Sequence, residues 1–293
     1  MKVGIYGQFY HDDSGKYIQL LLELLDRNSV EVVIEKYFLE LIHKHESIDK
    51  NYSHFSTFEE LDKSYDLFFS IGGDGTILQT VNYVRDLGIP IAGINTGRLG
   101  FLATIKKENL ENSIQKIFEG NYSLSTRNLL EITTSDNHDF DGVNFALNEV
   151  TVSRKDTTSM ITVHTKINDE FLTSYWSDGL IVSTPTGSTG YSLSCGGPIV
   201  MPETSSILLT PIAPHNLNMR PLVISNQYEL SLQVSGREEE HLISLDSRTH
   251  TLPVETEIYI KKADFQINMV QLKEESFLKT LREKMFWGED KRN

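Results

Sequence analysis

The sequence predicts two folds in one chain: an N-terminal Rossmann-like α/β domain and a C-terminal antiparallel β-sandwich domain. Three observations predict this. Over residues 1–120, short and continuously apolar runs alternate with stretches of helical spacing. That is the pattern of a parallel sheet covered on both faces. After Asn121 apolar residues alternate singly with polar ones, as in antiparallel strands with one solvated face. Over Glu274–Trp287 helical spacing returns, and this last helix is expected to pack back on the first domain. The first domain is therefore assigned residues 1–120 plus 274–293, and the second residues 121–273.

In the first domain Val3–Tyr6 reads as a buried strand and Tyr17–Leu25 as a helix. Val30–Ile34 is a second strand, followed by a helix to about Ile42. The segment His43-Lys44-His45-Glu46 is read as a solvated helix end rather than a metal cluster. Asp66–Ile71 is the next strand and Ile77–Asp86 the helix after it, with Ile89–Ile94 and Leu110–Phe118 completing the series. In the second domain Ile161-Val163-Thr165-Ile167 alternates with Thr162-His164-Lys166, and Asn168-Asp169 makes a hairpin turn. Tyr228-Leu230-Leu232-Val234 alternates in the same way, and similar strands recur around Leu242–Leu245 and Glu257–Leu272. The last helix carries Phe277, Leu278, Leu281 and Met285 on one stripe.

At 293 residues the chain is long enough for two domains with real cores. A net charge of −14 argues against broad nucleic-acid or anionic-membrane binding, which both need a basic surface. Small anions are still accessible, because loop amides and a few local cations hold them. Cys195 is the single cysteine, so no intrachain disulfide forms and no oxidising compartment is implied. Met1–Gly7 starts as a strand rather than a signal segment, and no apolar run approaches the length of a membrane span. A cytoplasmic protein is expected.

The densest chemical signal is Ile71-Gly72-Gly73-Asp74-Gly75-Thr76, where a buried strand hands over to a helix. Glycines there allow close approach, and a helix N-terminus capped by Thr76 attracts phosphate. Asp74 repels phosphate, so its place there needs a different chemical role, as a base, a hydroxyl holder or a metal organiser. The alternative is a tight turn with a self-capping Asp. Asn95-Thr96-Gly97-Arg98-Leu99-Gly100-Phe101 follows the next strand and is expected beside Asp74, with Phe101 stacking on a planar ring or filling the core. His11-Asp12-Asp13 lies in the loop after the first strand, and nothing requires it in a site.

A second glycine-rich segment, Thr184–Pro198, follows the strand Leu180–Val182 and is dense in hydroxyls. It can wrap a ribose or a phosphate without lysine, or be a plain surface loop. Neither a Walker loop nor the Gly-x-Gly-x-x-Gly fingerprint occurs in the chain. Asn148-Glu149 suits sugar hydroxyls, but taken alone it is better read as an outward strand face.

Gly72–Thr76, Asn148-Glu149, Ser177-Asp178-Gly179 and Thr184–Pro198 together resemble the NAD kinase family in order and spacing over essentially the whole chain. Thr96–Phe101, Pro214-His215 with Arg220-Pro221, and Leu281-Arg282-Glu283-Lys284 are similar to that family too. Gly-Gly-Asp-Gly-Thr by itself is shared with diacylglycerol, sphingosine and 6-phosphofructo kinases. The resemblance implies transfer of the γ-phosphoryl of ATP to the 2′-hydroxyl of the adenosine ribose of NAD, giving NADP. It implies Asp74 as general base, with Gly75 letting the ligand approach. Asn148 and Glu149 would hold ribose hydroxyls, and Asp178 the nicotinamide end or its ribose. Thr189, Gly190, Tyr191, Ser192, Leu193 and Ser194 would line the nucleotide, Tyr191 partly by stacking. Phe101, Ser159, Trp176 and Arg248 match further contact positions. A divalent cation, Mg²⁺, would travel with ATP, no metal ligand being assigned to the protein, and the chain would form a homo-oligomer, dimer or tetramer. The chain departs from the family at Gly190, where alanine is common, and over Ser244–Arg248, where glycine and glutamine often close the motif. A lipid kinase of the same superfamily and a non-catalytic dinucleotide sensor are the rival readings.

Overall fold

The computed structural model describes residues 1–8, 12–45, 50–97, 99–156 and 159–287. His11, Glu46 and Arg98 lie outside the described residues, as do the side chains of Asp12 and Asp13. The chain divides into two compact units, Met1–Thr126 with Ile267–Asn293, and Arg127–Gln266. The exchanges fall inside two long strands rather than at 120/121 and 273/274, where the sequence pattern changes. A strand's hydrogen bonds do not stop where its composition does.

The first unit opens with β1 (Lys2–Gly7), α1 (Asp12–Arg27), β2 (Glu31–Glu35), α2 (Lys36–His45) and β3 (Ser53–Phe55). It continues with β4 (Leu67–Gly72), α3 (Asp74–Val84), β5 (Ile91–Asn95), β6 (Ile105–Lys106) and α4 (Leu110–Phe118). Its strands run parallel in the order β3-β2-β1-β4-β5. Continuous apolar strands are buried on both faces, as Leu67, Phe68, Phe69 and Ile71 of β4 show. The order reverses direction between β1 and β4, and ligands of such sheets sit beyond the carboxyl ends of strands at that point. Asp74 follows the carboxyl end of β4.

The long strand β7 (Tyr122–Thr134) leads into the second unit, followed by β8 (Phe145–Ala146), β9 (Glu149–Arg154), β10 (Ile161–Ile167), β11 (Glu170–Ser177) and β12 (Gly179–Ser183). Next come α5 (Tyr191–Ser194), β13 (Ser206–Ile212), β14 (Leu222–Ser225), β15 (Leu230–Ser235), β16 (Glu240–Leu245) and β17 (Arg248–Pro253). Strand β18 (Glu257–Leu272) leads back to the first unit, which ends in α6 (Phe277–Met285). One sheet of the second unit is β14-β13-β12-β9-β16-β17, antiparallel throughout. The other brings β11, β10, β15 and the first part of β18 together. Val150, Leu180, Val182 and Ile243 of one sheet share a core with Val163, Leu232 and Ile258 of the other. The expected hairpin is present: Asn168 and Asp169 turn with φ of 47° and 67°, the paired positive values that suit the strand twist.

Two local expectations are corrected. The helix after the glycines begins at Asp74, with Gly73 as its cap and no side-chain cap bond, so Thr76 lies buried in the first turn instead of capping it. In α6 the buried pair is Thr280 and Leu281, whereas Leu278 is 52% exposed. The helix packs through Phe277, which meets Phe101 at 6.1 Å between ring centroids. This rotates the buried stripe off Leu278.

His241 on β16 is fully buried, and neither ring nitrogen has a partner. Burial pushes its pKa down from 6.5 to about 4. Between those values the unfolded chain binds a proton that the folded one refuses, so stability falls as pH drops from about 6.5 toward 4. The full effect is about 3 kcal/mol. His241→Phe is expected to flatten that slope in urea titrations at pH 7.5 and 5; an unchanged slope would assign it to other groups.

Candidate active site

Gly72 has a φ of 154°, and a Cβ there would lie 2.2 Å from the Thr76 hydroxyl. The first turn of α3 therefore closes tightly over the end of β4, which brings Asp74 to the head of the helix. Its carboxylate does not point freely outward. Oδ2 accepts from the amide of Phe101 at 2.7 Å, and Oδ1 accepts from Leu102 and Ala103, each at 3.0 Å. Gly100 makes room for this, since a Cβ there would fall 1.8 Å from Asp74 Oδ1. Phe101, at the end of the segment expected beside Asp74, and the two residues after it are thus built around this carboxylate. Three of the four or so lone-pair sites of the carboxylate are used, which leaves capacity for one more donor. Gly75 is exposed, with nothing near its Cα that a side chain would touch. Phe101 is half-buried, with Phe277 on it and Lys284 Nζ 5.7 Å from its ring centre. That ring packs on α6 through Phe277 and keeps part of its surface exposed.

In the second unit Asn148 and Glu149 enter β9, which lies between β12 and β16. The outward-face reading of this dipeptide is wrong. Glu149 lies on the face opposite Val150 and Val152, yet it is only 8% exposed, because the Thr184–Pro198 loop covers that face at Gly190. Two of the pair's oxygens, Asn148 Oδ1 and Glu149 Oε2, are buried and have no hydrogen-bond partner. Burial first, and then the nearby Asp246 charge, push the Glu149 carboxyl up to about 8, against the pull of the Tyr191 amide. A buried carboxyl at that value is mostly protonated at neutral pH. Gly190 is the residue next to both groups: a Cβ on it would lie 3.0 Å from Glu149 Oε2 and 3.5 Å from Asn148 Nδ2.

The Thr184–Pro198 loop is fastened to this pair rather than lying loose on the surface. Thr184 donates its hydroxyl to the carbonyl of Leu147 at 2.7 Å, and its amide to that of Asn148 at 2.9 Å. The Thr189 hydroxyl donates to the Thr186 carbonyl. Ser192 is buried and its hydroxyl pairs with that of Thr210 at 2.8 Å, so it faces the sheet. Leu193 is half-buried, and Tyr191 and Ser194 are exposed. Tyr191, 46% exposed, presents a ring to solvent.

Asp178 pairs with Arg154 at 3.0 Å. Trp176 is 48% exposed and stacks on His215, with ring centroids 4.2 Å apart. Ser159 sits half-buried in the connection between β9 and β10. Arg248 donates to the carbonyls of Val143 and Phe145, so it braces the chain leading into Asn148. Arg154 has no signal in the sequence, and Asp246 stands out only as part of the departing Ser244–Arg248 segment: each gains its role from a neighbour distant in sequence. Among the described residues no group of three metal-ligating side chains occurs. A cation accompanying ATP would take most of its ligands from the phosphates.

The first unit holds a carboxylate on backbone amides at its sheet's switch point, and the second a lysine-free glycine loop beside two unpartnered oxygens; each is a feature of nucleotide-binding proteins. Residues 3–122 match the ATP-NAD kinase N-terminal domain, and residues 147–272 the ATP-NAD kinase C-terminal domain. The chain is 61% identical to the NAD kinase of Christiangramia forsetii over 295 residues, covering 100% of both. It is 53% identical to that of Flavobacterium psychrophilum, again covering 100% of both. Among solved structures it resembles yeast NADH kinase complexed with NADH, with a TM-score of 0.85 and 25% identity, covering 98% of this chain and 88% of that one. An NAD kinase from Archaeoglobus fulgidus in complex with ATP gives a TM-score of 0.73 and 27% identity, covering 98% and 99%. The chain belongs to the ATP-NAD kinase family.

Proposed function

We propose that this enzyme phosphorylates NAD to NADP by moving the γ-phosphoryl of ATP to the 2′-hydroxyl of the adenosine ribose. The observation that carries the reading is the pair of buried, unpartnered oxygens on Asn148 and Glu149 beside Gly190. Burying such atoms unpaired is costly, and a sugar diol supplies the missing partners. Glycine-loop amides take the place of a Walker lysine for the phosphates. Asp74 accepts the hydroxyl proton at its remaining lone pair as the phosphoryl group arrives, and Gly75 leaves the approach open. Phosphoryl transfer needs positioning and charge neutralisation above all, so a carboxylate fixed by three amides suits it.

Thr189, Gly190, Tyr191, Ser192, Leu193 and Ser194 line the nucleotide, Tyr191 through its exposed ring and Ser192 through its backbone. Asp178 with Arg154, Trp176, Ser159 and Phe101 belong to the reading as contact positions, and Arg248 as a brace. Mg²⁺ accompanying ATP, residence in the cytoplasm and a dimer or tetramer rest on the resemblance. No helix of the described residues is long and apolar enough to cross a membrane. The test is incubation with ATP, Mg²⁺ and NAD, followed by an NADP-specific readout. NADP is expected; product only with a lipid acceptor, or binding without product, would favour the rival readings.

A further inference from the structure

Asp246 lies in the turn between β16 and β17 with a φ of 53°, and it is half-buried, its carboxyl turned in toward the start of β9. Its Oδ2 accepts from the amide of Leu147 at 3.0 Å, and its Oδ1 from those of Asn148 and Glu149 at 2.8 and 3.2 Å. Its own amide donates to the Glu149 carbonyl at 2.9 Å. One carboxylate therefore seats three consecutive residues, two of which carry the unpartnered oxygens.

The same carboxylate is a like charge beside Glu149. Two buried carboxylates this close do not both ionise cheaply, so the proton settles on the worse-solvated member. Burial pushes Asp246 up as well, while three amides and the Arg248 guanidinium pull it down. Glu149 has a single amide, that of Tyr191, and one oxygen with no partner. The balance leaves the charge on Asp246. The other titratable neighbours, Tyr191 and Cys195, have their own protons held on by burial and add no compensating cation.

We propose that Asp246 is a positioning residue for NAD: it seats the Asn148–Glu149 backbone and, as the charged member of the pair, leaves Glu149 to face the ribose as an uncharged acid. A neutral carboxyl both donates and accepts toward a diol and does not repel the dinucleotide's phosphates. This rests on the ribose-binding reading of Glu149.

The experiment is the pH dependence of kcat and of KM for NAD in the parent enzyme, Glu149→Gln, Asp246→Asn and Arg248→Met. In the parent, KM for NAD is expected to show an inflection at about 8. Glu149→Gln removes it. Asp246→Asn keeps it but moves it about one unit toward acid, since the repelling charge is gone. KM in that variant rises about tenfold, the scale of one lost charge-assisted hydrogen bond, while kcat changes less. If Asp246→Asn raises KM and leaves the inflection in place, Asp246 is scaffold alone and the proposal is overturned. An inflection that survives in Glu149→Gln overturns it too. Should Asp246→Asn not fold, Arg248→Met decides: loss of that cation must move the inflection to higher pH, and no movement counts against the proposal. A parent enzyme that makes no NADP would sink the functional reading itself, whereas NADP formation with a fixed inflection sinks only this inference.

Discussion

Asp74→Asn is expected to lower turnover by about 10²–10⁴-fold, the range of a lost general base, while NAD binding changes only a few-fold. The geometry explains why the loss exceeds a simple charge removal. All three hydrogen bonds to the side chain come from backbone amides, on both of its oxygens. An asparagine must therefore turn its own NH₂ toward Phe101 or toward Leu102 and Ala103. That donor-against-donor contact costs about 1–3 kcal/mol in a part-buried site. The loop over Leu99–Ala103 should loosen, visible as faster amide exchange there than in the parent. Turnover near the parent's would mean that Asp74 only organises this loop.

The glycine turn was legible because its signals are local. Three glycines around one carboxylate after a buried strand leave few structural options, although the helix starts at Asp74, three residues before the expected Ile77. The same holds for Asn168-Asp169, where two residues between alternating runs fix a turn, and for α4 and β18, whose predicted limits coincide with those observed. The site's support was not legible. Asp74 meets amides 27 to 29 residues ahead, and Asp246 meets amides 97 to 99 residues behind. No window of sequence contains both partners. Glu149 failed for a different reason. Period-2 reasoning leaves the face opposite Val150 and Val152 in solvent, but there the Thr184–Pro198 loop covers it. The polar residue there looked outward by pattern, yet it is buried.

The two substitutions that most sharply probe the loop are at glycines only three residues apart. A Cβ on Gly187 would lie 2.1 Å from the carbonyl oxygen of Asn148, 2.5 Å from its carbonyl carbon and 2.8 Å from its Cα. All three are backbone atoms of a residue clamped by Asp246 and Thr184, so nothing flexible can yield. Gly187→Ala is expected to cost about 3 kcal/mol of stability, at the upper end for overpacking, and to abolish NAD binding by displacing Asn148. At Gly190 the nearest atom is Glu149 Oε2 at 3.0 Å, the end of a side chain that can move by a few tenths of an ångström. Gly190→Ala also restricts the unfolded chain, which offsets part of the strain, so its stability should stay within about 1 kcal/mol of the parent's. Its effect on the ligand is expected to be small. Alanine is common there in the family, and the methyl meets the movable end of Glu149 and the Asn148 side-chain amide nitrogen, so KM for NAD and kcat should both stay close to the parent's. Urea unfolding and NAD titration of both variants give the comparison. Equal destabilisation at the two positions would mean that the loop moves as one body, independently of the Asn148 carbonyl, and that the dipeptide is not its anchor.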